Sequence, residues 1–184
     1  MLFRSSQADD VGLEAVVIAD GLGWFRDWYD RTGEASNGVL DQDFRWATAE
    51  SKAFADAFED RYGYRPRPEV AGLAFDAANT FIQVAQNVYQ SEGELTSETL
   101  ADFARQQIQT GEWSYTDGIM MGEYLYTLET APDPVVGEGY YMFPVVQYVD
   151  GEGKIVFPPD WADRPFASPG SGRSVLSEWG SETP

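Results

Sequence analysis

The sequence has no cysteine and no histidine, and only two of its 184 residues, Lys52 and Lys154, are lysines. The missing cysteines exclude disulfide bonds and thiolate metal sites. The missing histidines exclude an imidazole base, and with it a Ser-His-Asp triad. Any catalysis would therefore depend on carboxylate, tyrosine, serine, threonine or lysine side chains.

Long apolar runs are also missing from the chain. No stretch approaches the ~18 consecutive apolar residues of a transmembrane helix. The N-terminal stretch MLFRSSQADDVGLEA lacks the apolar core of a signal peptide and soon reaches Asp9 and Asp10. From these patterns, the chain as given is expected to be soluble and to carry no signal peptide.

Positive charge is scarce, since 12 Lys and Arg residues face 31 Asp and Glu residues, for a net charge of -19. Such a polyanion repels nucleic-acid phosphates and anionic membranes, so nucleic acid is not an expected partner. Self-repulsion at this charge density destabilises a compact state unless salt screens it. The composition predicts a halophilic protein, and an ordinary acidic protein is the alternative.

The first part of the chain predicts a βαβ unit. Val16–Ile18 is a short β-branched run of the kind that is buried in a parallel sheet. Asp20 and Gly21 supply a turn, and Gly33 is placed to end the helix that follows. Residues 38–40 then begin the next strand, so a mixed α/β fold is expected.

Three helices are predicted in the middle of the chain. Thr48 can cap a helix over residues 50–62, which Gly63 closes. A second helix, over residues 69–89, carries an apolar stripe too wide for a surface helix, so it is expected to be mostly buried. Thr96 starts the third helix.

Beyond residue 111 the pattern changes to strands and loops. The stretch YYMFPVVQYVDGEGKIVFPP predicts a hairpin with residues 150–153 as its turn. The Ser-, Gly- and Pro-rich residues 165–184 predict a flexible tail.

The turn at Asp20 and Gly21 is the first candidate binding site. It lies where the carboxyl end of a strand meets a helix, which is where open α/β sheets bind ligands. The Asp20 carboxylate can hold a ligand's ammonium group there, or it can simply cap its own helix. Trp24, next to the turn, is a candidate for the wall of an apolar pocket.

Asp76 is the single carboxylate within the apolar part of the second helix. A buried carboxylate needs a partner, and Arg65, Arg67 or backbone amides are the candidates. Asp76 is therefore predicted to be structural rather than catalytic. Pairs such as Asp41 and Asp43 suggest a glycosidase or a calcium site, but in so acidic a chain they are expected to lie on solvated faces.

The order of these motifs resembles the C-terminal half of type I periplasmic binding proteins, in the leucine/isoleucine/valine-binding family of ABC-transporter receptors. The resemblance runs from about Val11 to Pro158. It is carried by the stretches VIADGL, TGEASNGVL, FADAFEDRYGYRPRPEVAGLAFDAANTF and VVQYVDGEGKIVFPP.

The resemblance implies an incomplete Rossmann-like, three-layer α/β fold with pieces of both lobes. Residues 1–164 would form the C-terminal portion of the binding domain, and residues 165–184 the tail. The N-terminal lobe has no counterpart in this chain, so apolar surface is expected to be exposed where that lobe would pack.

The resemblance also implies function. The chain would be the solute-binding component of an ABC transporter for branched-chain or related amino acids or amides, without catalysis and without a cofactor. Asp20 would receive the ligand's amino group, and Phe75 replaces the tyrosine usual in the family. Gly21 and Trp24, singled out above from the turn itself, complete the predicted set of ligand contacts with Asp20 and Phe75.

The partners implied by the resemblance are a small-molecule ligand, the ABC permease and the missing N-terminal lobe. A complete family member would be extracellular, periplasmic or at the cell surface. The alternatives are the ligand-binding module of a sensory receptor and a carboxylate-dependent hydrolase, which would need two carboxylates that face each other across a cleft.

Overall fold

The computed structural model describes residues 7, 10–12, 15–21 and 27–168. The chain divides into two compact units. The first unit combines Met1–Phe44 with Phe143–Pro184, and the second is Arg45–Met142. This division agrees with the expectation that the chain contains pieces of two lobes.

The first unit is built on a four-stranded sheet in the order β1-β2-β3-β4. Strands β1 and β2 are parallel, and β3 and β4 are antiparallel to their neighbours. The strands are β1 Ile18–Asp20, β2 Leu40–Gln42, β3 Val145–Val149 and β4 Glu152–Phe157. A short helix, α1 (Trp28–Thr32), and a 3-10 turn (Gly33–Ser36) connect the two parallel strands.

The predicted βαβ unit is confirmed, but its first strand begins later than predicted. Strand β1 is Ile18–Asp20, so Asp20 belongs to the strand and not to the turn. The expected burial of the run Val16–Ile18 is wrong, because β1 is an edge strand of the described sheet and Val16 and Ile18 are 45% and 72% exposed.

Strands β1 and β2 pair in parallel with Ile18 opposite Leu40, and α1 lies between them in the sequence. Gly33 follows α1 with φ of +52°, a conformation that glycine adopts without a steric penalty. The core of this unit includes Trp28 and Tyr148, whose ring centroids lie 4.4 Å apart.

The predicted hairpin is confirmed, but its predicted turn was too long. Strand β3 pairs with β4 as far as Val149 opposite Glu152, so only Asp150 and Gly151 form the turn. Both have positive φ, of 51° and 85°, as a two-residue turn between twisted strands requires. Gly153 pairs with Tyr148 inside the ladder.

The predicted tail is described only to residue 168, and its remainder lies outside the described residues. Ala167 is buried, and its backbone N–H donates to Gln147 Oε1 at 3.0 Å. In return, Gln147 Nε2 donates to the Ala167 carbonyl at 2.9 Å. This part of the chain is therefore held against β3.

The second unit contains the three predicted helices. They are α2 (Ala49–Tyr62), α3 (Leu73–Glu92), which a π-helical turn (Pro68–Gly72) precedes, and α4 (Ser97–Phe103), which continues as a π-helical turn (Ala104–Ile108). Both predicted caps are present, since Thr48 accepts a hydrogen bond from the Ser51 amide and Thr96 from the Thr99 amide. Within the described ranges, no helix is long and apolar enough to cross a membrane.

The expectation that the second helix is mostly buried is wrong. On α3, Phe81 is 58% exposed and Ile82 is 51% exposed. The buried residues of α3 are Asp76, Val84 and Val88. The wide apolar stripe exists, but the described residues of this unit leave much of it uncovered.

The acidic composition predicts a strong dependence of stability on salt, which a thermal melt can test. Raising KCl from about 0.01 M to about 1 M shortens the Debye length from ~30 Å to ~3 Å and so screens repulsion among the carboxylates. The free energy of unfolding is expected to rise by at least ~1 kcal/mol, or roughly 2–4 °C in the melting temperature. Choline chloride at equal ionic strength separates screening from binding of K⁺, and a melting temperature independent of salt would contradict adaptation to high salt.

Candidate functional site

The turn after β1 carries the first predicted site. Asp20 is the last residue of β1, pairs with Gln42 of β2 and is exposed to solvent. Gly21 is buried and has φ of +72°, in the left-handed region that other residues rarely adopt. An exposed carboxylate thus stands at the carboxyl end of a parallel strand, in a position open to a ligand.

Asp41 of β2 holds this turn from inside the unit. Its side chain is 0% exposed. The Gly21 amide donates to Asp41 Oδ1 at 2.8 Å, and the Tyr148 hydroxyl lies 3.2 Å from Asp41 Oδ2. The carboxylate therefore joins the turn after β1 to strand β3, across the central strand β2.

The prediction that Asp41 and Asp43 lie on solvated faces is wrong, because they are 0% and 4% exposed. Acidic composition alone suggested solvation, but Asp41 occupies a central strand and finds donors there. Its partners Gly21 and Tyr148 lie far from it in the sequence, so no local pattern signalled its burial. Among the described residues, no group of three or more acidic side chains could hold a metal ion.

The other two predicted ligand contacts are placed differently. Trp24 lies outside the described residues. Phe75 is on α3 in the second unit and is 39% exposed. Its ring packs against Phe54 of α2, with centroids 4.9 Å apart. Contact of Trp24 or Phe75 with a ligand stays a prediction.

Asp76 is 1% exposed and accepts three hydrogen bonds from one loop. The Ile119 amide donates to Oδ1 at 2.8 Å, and the Met120 amide donates to Oδ2 at 3.0 Å. The Tyr124 hydroxyl donates to Oδ2 at 2.6 Å. Of the candidate partners, backbone amides are present, whereas Arg65 pairs with Asp56 and Glu59, and Arg67 pairs with Glu69.

Tyr124 remains a hydrogen-bond donor at neutral pH. Burial, the hydrogen bond to Asp76 and the charge of Asp76 all raise the pKa of Tyr124 far above its ordinary value. The packing around this contact is tight, since a Cβ added at Gly118 would lie 2.8 Å from the Tyr124 ring and 3.1 Å from Asp76 Oδ2. These contacts support a structural role for Asp76.

The second unit also contains an apolar groove of about 520 Å³ between α3, α4 and the loop that follows. None of its lining residues carries a full charge at neutral pH, although 23% of the chain's residues are charged. The groove is lined by Leu73, Ala77, Thr80, Phe81, Val84, Leu100, Ala104, Ile108, Tyr124, Tyr126 and Tyr141. Burial raises the pKa of Tyr126 and Tyr141, so their hydroxyls also stay protonated at neutral pH.

The sequence matches no family model and no curated protein. Solved structures are similar in fold. One is a protein from Silicibacter pomeroyi assigned to a branched-chain amino acid ABC transporter, which matches with a TM-score of 0.68 and 16% identity. That match covers 91% of this chain and 44% of the Silicibacter protein. An extracellular ligand-binding receptor from Rhodopseudomonas palustris HaA2 matches with a TM-score of 0.59 and 16% identity over 84% of this chain and 44% of its own.

A third structure, from Rhodospirillum rubrum and also assigned to a branched-chain amino acid ABC transporter, matches with a TM-score of 0.52 and 18% identity. The match covers 83% of this chain and 40% of that protein. The chain thus spans less than half the length of the structures it matches. At these identities the likeness is one of fold, and it confirms the predicted fold class: the architecture is that of type I periplasmic binding proteins, represented by part of their length.

Proposed function

We propose that this chain is the solute-binding component of an ABC transporter for branched-chain amino acids, related amino acids or small amides. The observation that carries this proposal is the exposed Asp20 carboxylate at the carboxyl end of a parallel strand, next to a left-handed glycine. Ligands of open α/β sheets bind at such strand ends. The similar structures are transporter proteins and a ligand-binding receptor rather than enzymes, which supports a binding role without catalysis.

In this proposal, the Asp20 carboxylate receives the ammonium group of an amino-acid ligand through a charge-assisted hydrogen bond. Gly21 lets the backbone approach the ligand closely, because no Cβ intervenes. Trp24 and Phe75 remain proposed ligand contacts. Ligand binding in the complete receptor would favour a closed form, which the permease recognises.

A second proposed partner is a polypeptide equivalent to the N-terminal half of the similar structures. More than half of each of those proteins has no counterpart in this chain. The apolar groove of the second unit and the exposed Phe81 and Ile82 on α3 are the kind of surface that such a segment would cover. The complete receptor would act outside the cytoplasmic membrane, as the description of the Rhodopseudomonas palustris protein suggests.

A thermal-shift titration of the chain in molar KCl tests the proposed ligand class. Branched-chain amino acids, other amino acids, urea and short amides form the panel, and a compound that binds only the folded state raises the melting temperature. At a ligand concentration about 100 times the dissociation constant, we expect a stabilisation of about 2.7 kcal/mol.

The variant Asp20→Ala should lose most of that shift, because the ammonium group loses its acceptor. Asp30→Ala is the matched control, since it removes another exposed carboxylate of the same unit. A cooperative melt that no compound shifts would contradict binding by this chain on its own. A shift that Asp20→Ala leaves unchanged would contradict the role of Asp20.

A further inference from the structure

Asp41 is a carboxylate in a place where apolar side chains are the rule. It lies on β2, the strand between β1 and β3, opposite Ala19 on one side and Val146 on the other. Burial of a carboxylate at such a position is costly unless hydrogen bonds compensate it. Its two carboxylate oxygens interact with two different elements. Oδ1 accepts a hydrogen bond from the Gly21 amide in the turn after β1, and Oδ2 lies 3.2 Å from the Tyr148 hydroxyl of β3.

The hydrogen bond from the Gly21 amide to Asp41 restrains the backbone of Asp20 without involving the Asp20 side chain. The N–H that Asp41 accepts belongs to the peptide between Asp20 and Gly21. Fixing the plane of that peptide fixes the ψ angle of Asp20, one of only two soft backbone angles of that residue. Asp20 and Asp41 are not on the same face, because Asp41 pairs with Ala19 and successive side chains alternate along a strand.

Gly21 needs such a restraint more than other residues do. With φ of +72° it occupies the left-handed region, and glycine loses more conformational freedom on folding than any other residue. A charge-assisted hydrogen bond to a carboxylate is about twice as strong as one between neutral groups. Asp41 is itself held on its other side by Tyr148, whose ring packs on Trp28 of α1 at 4.4 Å.

We propose that Asp41 is the positioning residue of the Asp20 site: it fixes the Asp20–Gly21 peptide and so holds the Asp20 carboxylate where a ligand's ammonium group meets it. This inference rests on the proposed function, in which Asp20 contacts the ligand. It adds a buried residue that acts through the backbone, without any contact of its own with the ligand.

The test compares the full parent chain with three variants, Asp41→Leu, Asp41→Asn and Tyr148→Phe. Leucine removes both acceptor oxygens, asparagine keeps one oxygen for the Gly21 amide, and Tyr148→Phe removes only the contact to Oδ2. The first readout is hydrogen exchange of the Gly21 amide by NMR. The Leu40 amide, which donates to the Val17 carbonyl at 2.9 Å in the same sheet, reports general loosening.

We expect the Gly21 amide to exchange at least about tenfold faster in Asp41→Leu, relative to the Leu40 amide, because a buried hydrogen bond is lost. In Asp41→Asn and Tyr148→Phe the ratio should stay within about threefold of the parent. Equal acceleration of the Gly21 and Leu40 amides in Asp41→Leu would mean that Asp41 only stabilises the unit, and would overturn the proposal.

The second readout is calorimetric titration with L-leucine, L-isoleucine and L-valine. For whichever amino acid binds the parent, Asp41→Leu should weaken the affinity about tenfold or more, while Tyr148→Phe should keep it within about threefold. An unchanged affinity in Asp41→Leu would overturn the proposal. A parent chain that binds none of the three would count against the proposed function, while the exchange ratio would still decide whether Asp41 fixes the turn.

Discussion

Replacing Asp76 by alanine is expected to lower the free energy of unfolding of the second unit by about 3 kcal/mol or more, since each buried donor left unsatisfied costs about 1–3 kcal/mol. Three donors lose their acceptor at once: the Ile119 amide, the Met120 amide and the Tyr124 hydroxyl. Asp76 is 1% exposed, so water does not readily replace the carboxylate. Denaturant unfolding of the full chain, followed by tryptophan fluorescence and circular dichroism, measures the change.

Two variants show whether the loss comes from these hydrogen bonds. Tyr124→Phe removes one of the three and is expected to cost about 1–2 kcal/mol. Asp117→Ala removes a nearby exposed carboxylate, which accepts a hydrogen bond from the Gln83 side chain. This variant is expected to change stability by less than about 0.5 kcal/mol. Comparable losses in Asp117→Ala and Asp76→Ala would contradict the specific role of Asp76, because charge removal alone would then explain both.

Replacing Gly122 by alanine is expected to destabilise the same unit by about 2 kcal/mol or more, as overpacking against an immovable neighbour does. A Cβ added there would lie 2.4 Å from the carbonyl oxygen of Gly139 and 3.0 Å from its carbonyl carbon. Both atoms belong to the backbone, so no side-chain rotation can relieve the clash. The loop segments around these two glycines would have to move apart, and the melting temperature and the denaturant midpoint should both fall.

Gly137→Ala is the control for this variant. Nothing lies within 4 Å of the Cβ position at Gly137, whose φ is +152°, so alanine there reports backbone strain without a clash. That strain is expected to cost about 1 kcal/mol. If Gly122→Ala cost no more than Gly137→Ala, the close approach of the two loop segments would not contribute to stability.

The secondary structure followed largely from local signals. Thr48 and Gly63 marked the two ends of α2, because a hydroxyl cap and a left-handed glycine satisfy the backbone groups that a helix leaves unpaired. The β-branched run before Asp20 and the turn signals of the hairpin likewise predicted that strands are present, although β1 begins only at Ile18, the last residue of that run. The predicted turn was too long by two residues, since Glu152 and Gly153 carry no local signal that distinguishes a turn from a strand end.

Burial was harder to predict than secondary structure. The apolar stripe on α3 predicted a buried helix. Apolar periodicity indicates which face of a helix is suited to packing, but it does not identify the residues that pack against that face. Asp41 was expected in solvent because acidic residues are abundant in this chain, yet it is fully buried. In both cases the deciding quantity is contact with residues distant in sequence, which a local pattern does not contain.

The sequence by itself determined the class of the fold, the positions of most helices and strands, and the chemistry that the absence of cysteine and histidine leaves possible. It also singled out Asp20 and Asp76. Only the tertiary structure decided their surroundings. The amides of Ile119 and Met120 donate hydrogen bonds to Asp76, and the Asp41 carboxylate accepts a hydrogen bond from the peptide that follows Asp20. Hydrogen bonds between residues 20 to 48 positions apart depend on how the chain folds back on itself, and short-range propensities carry no record of that path.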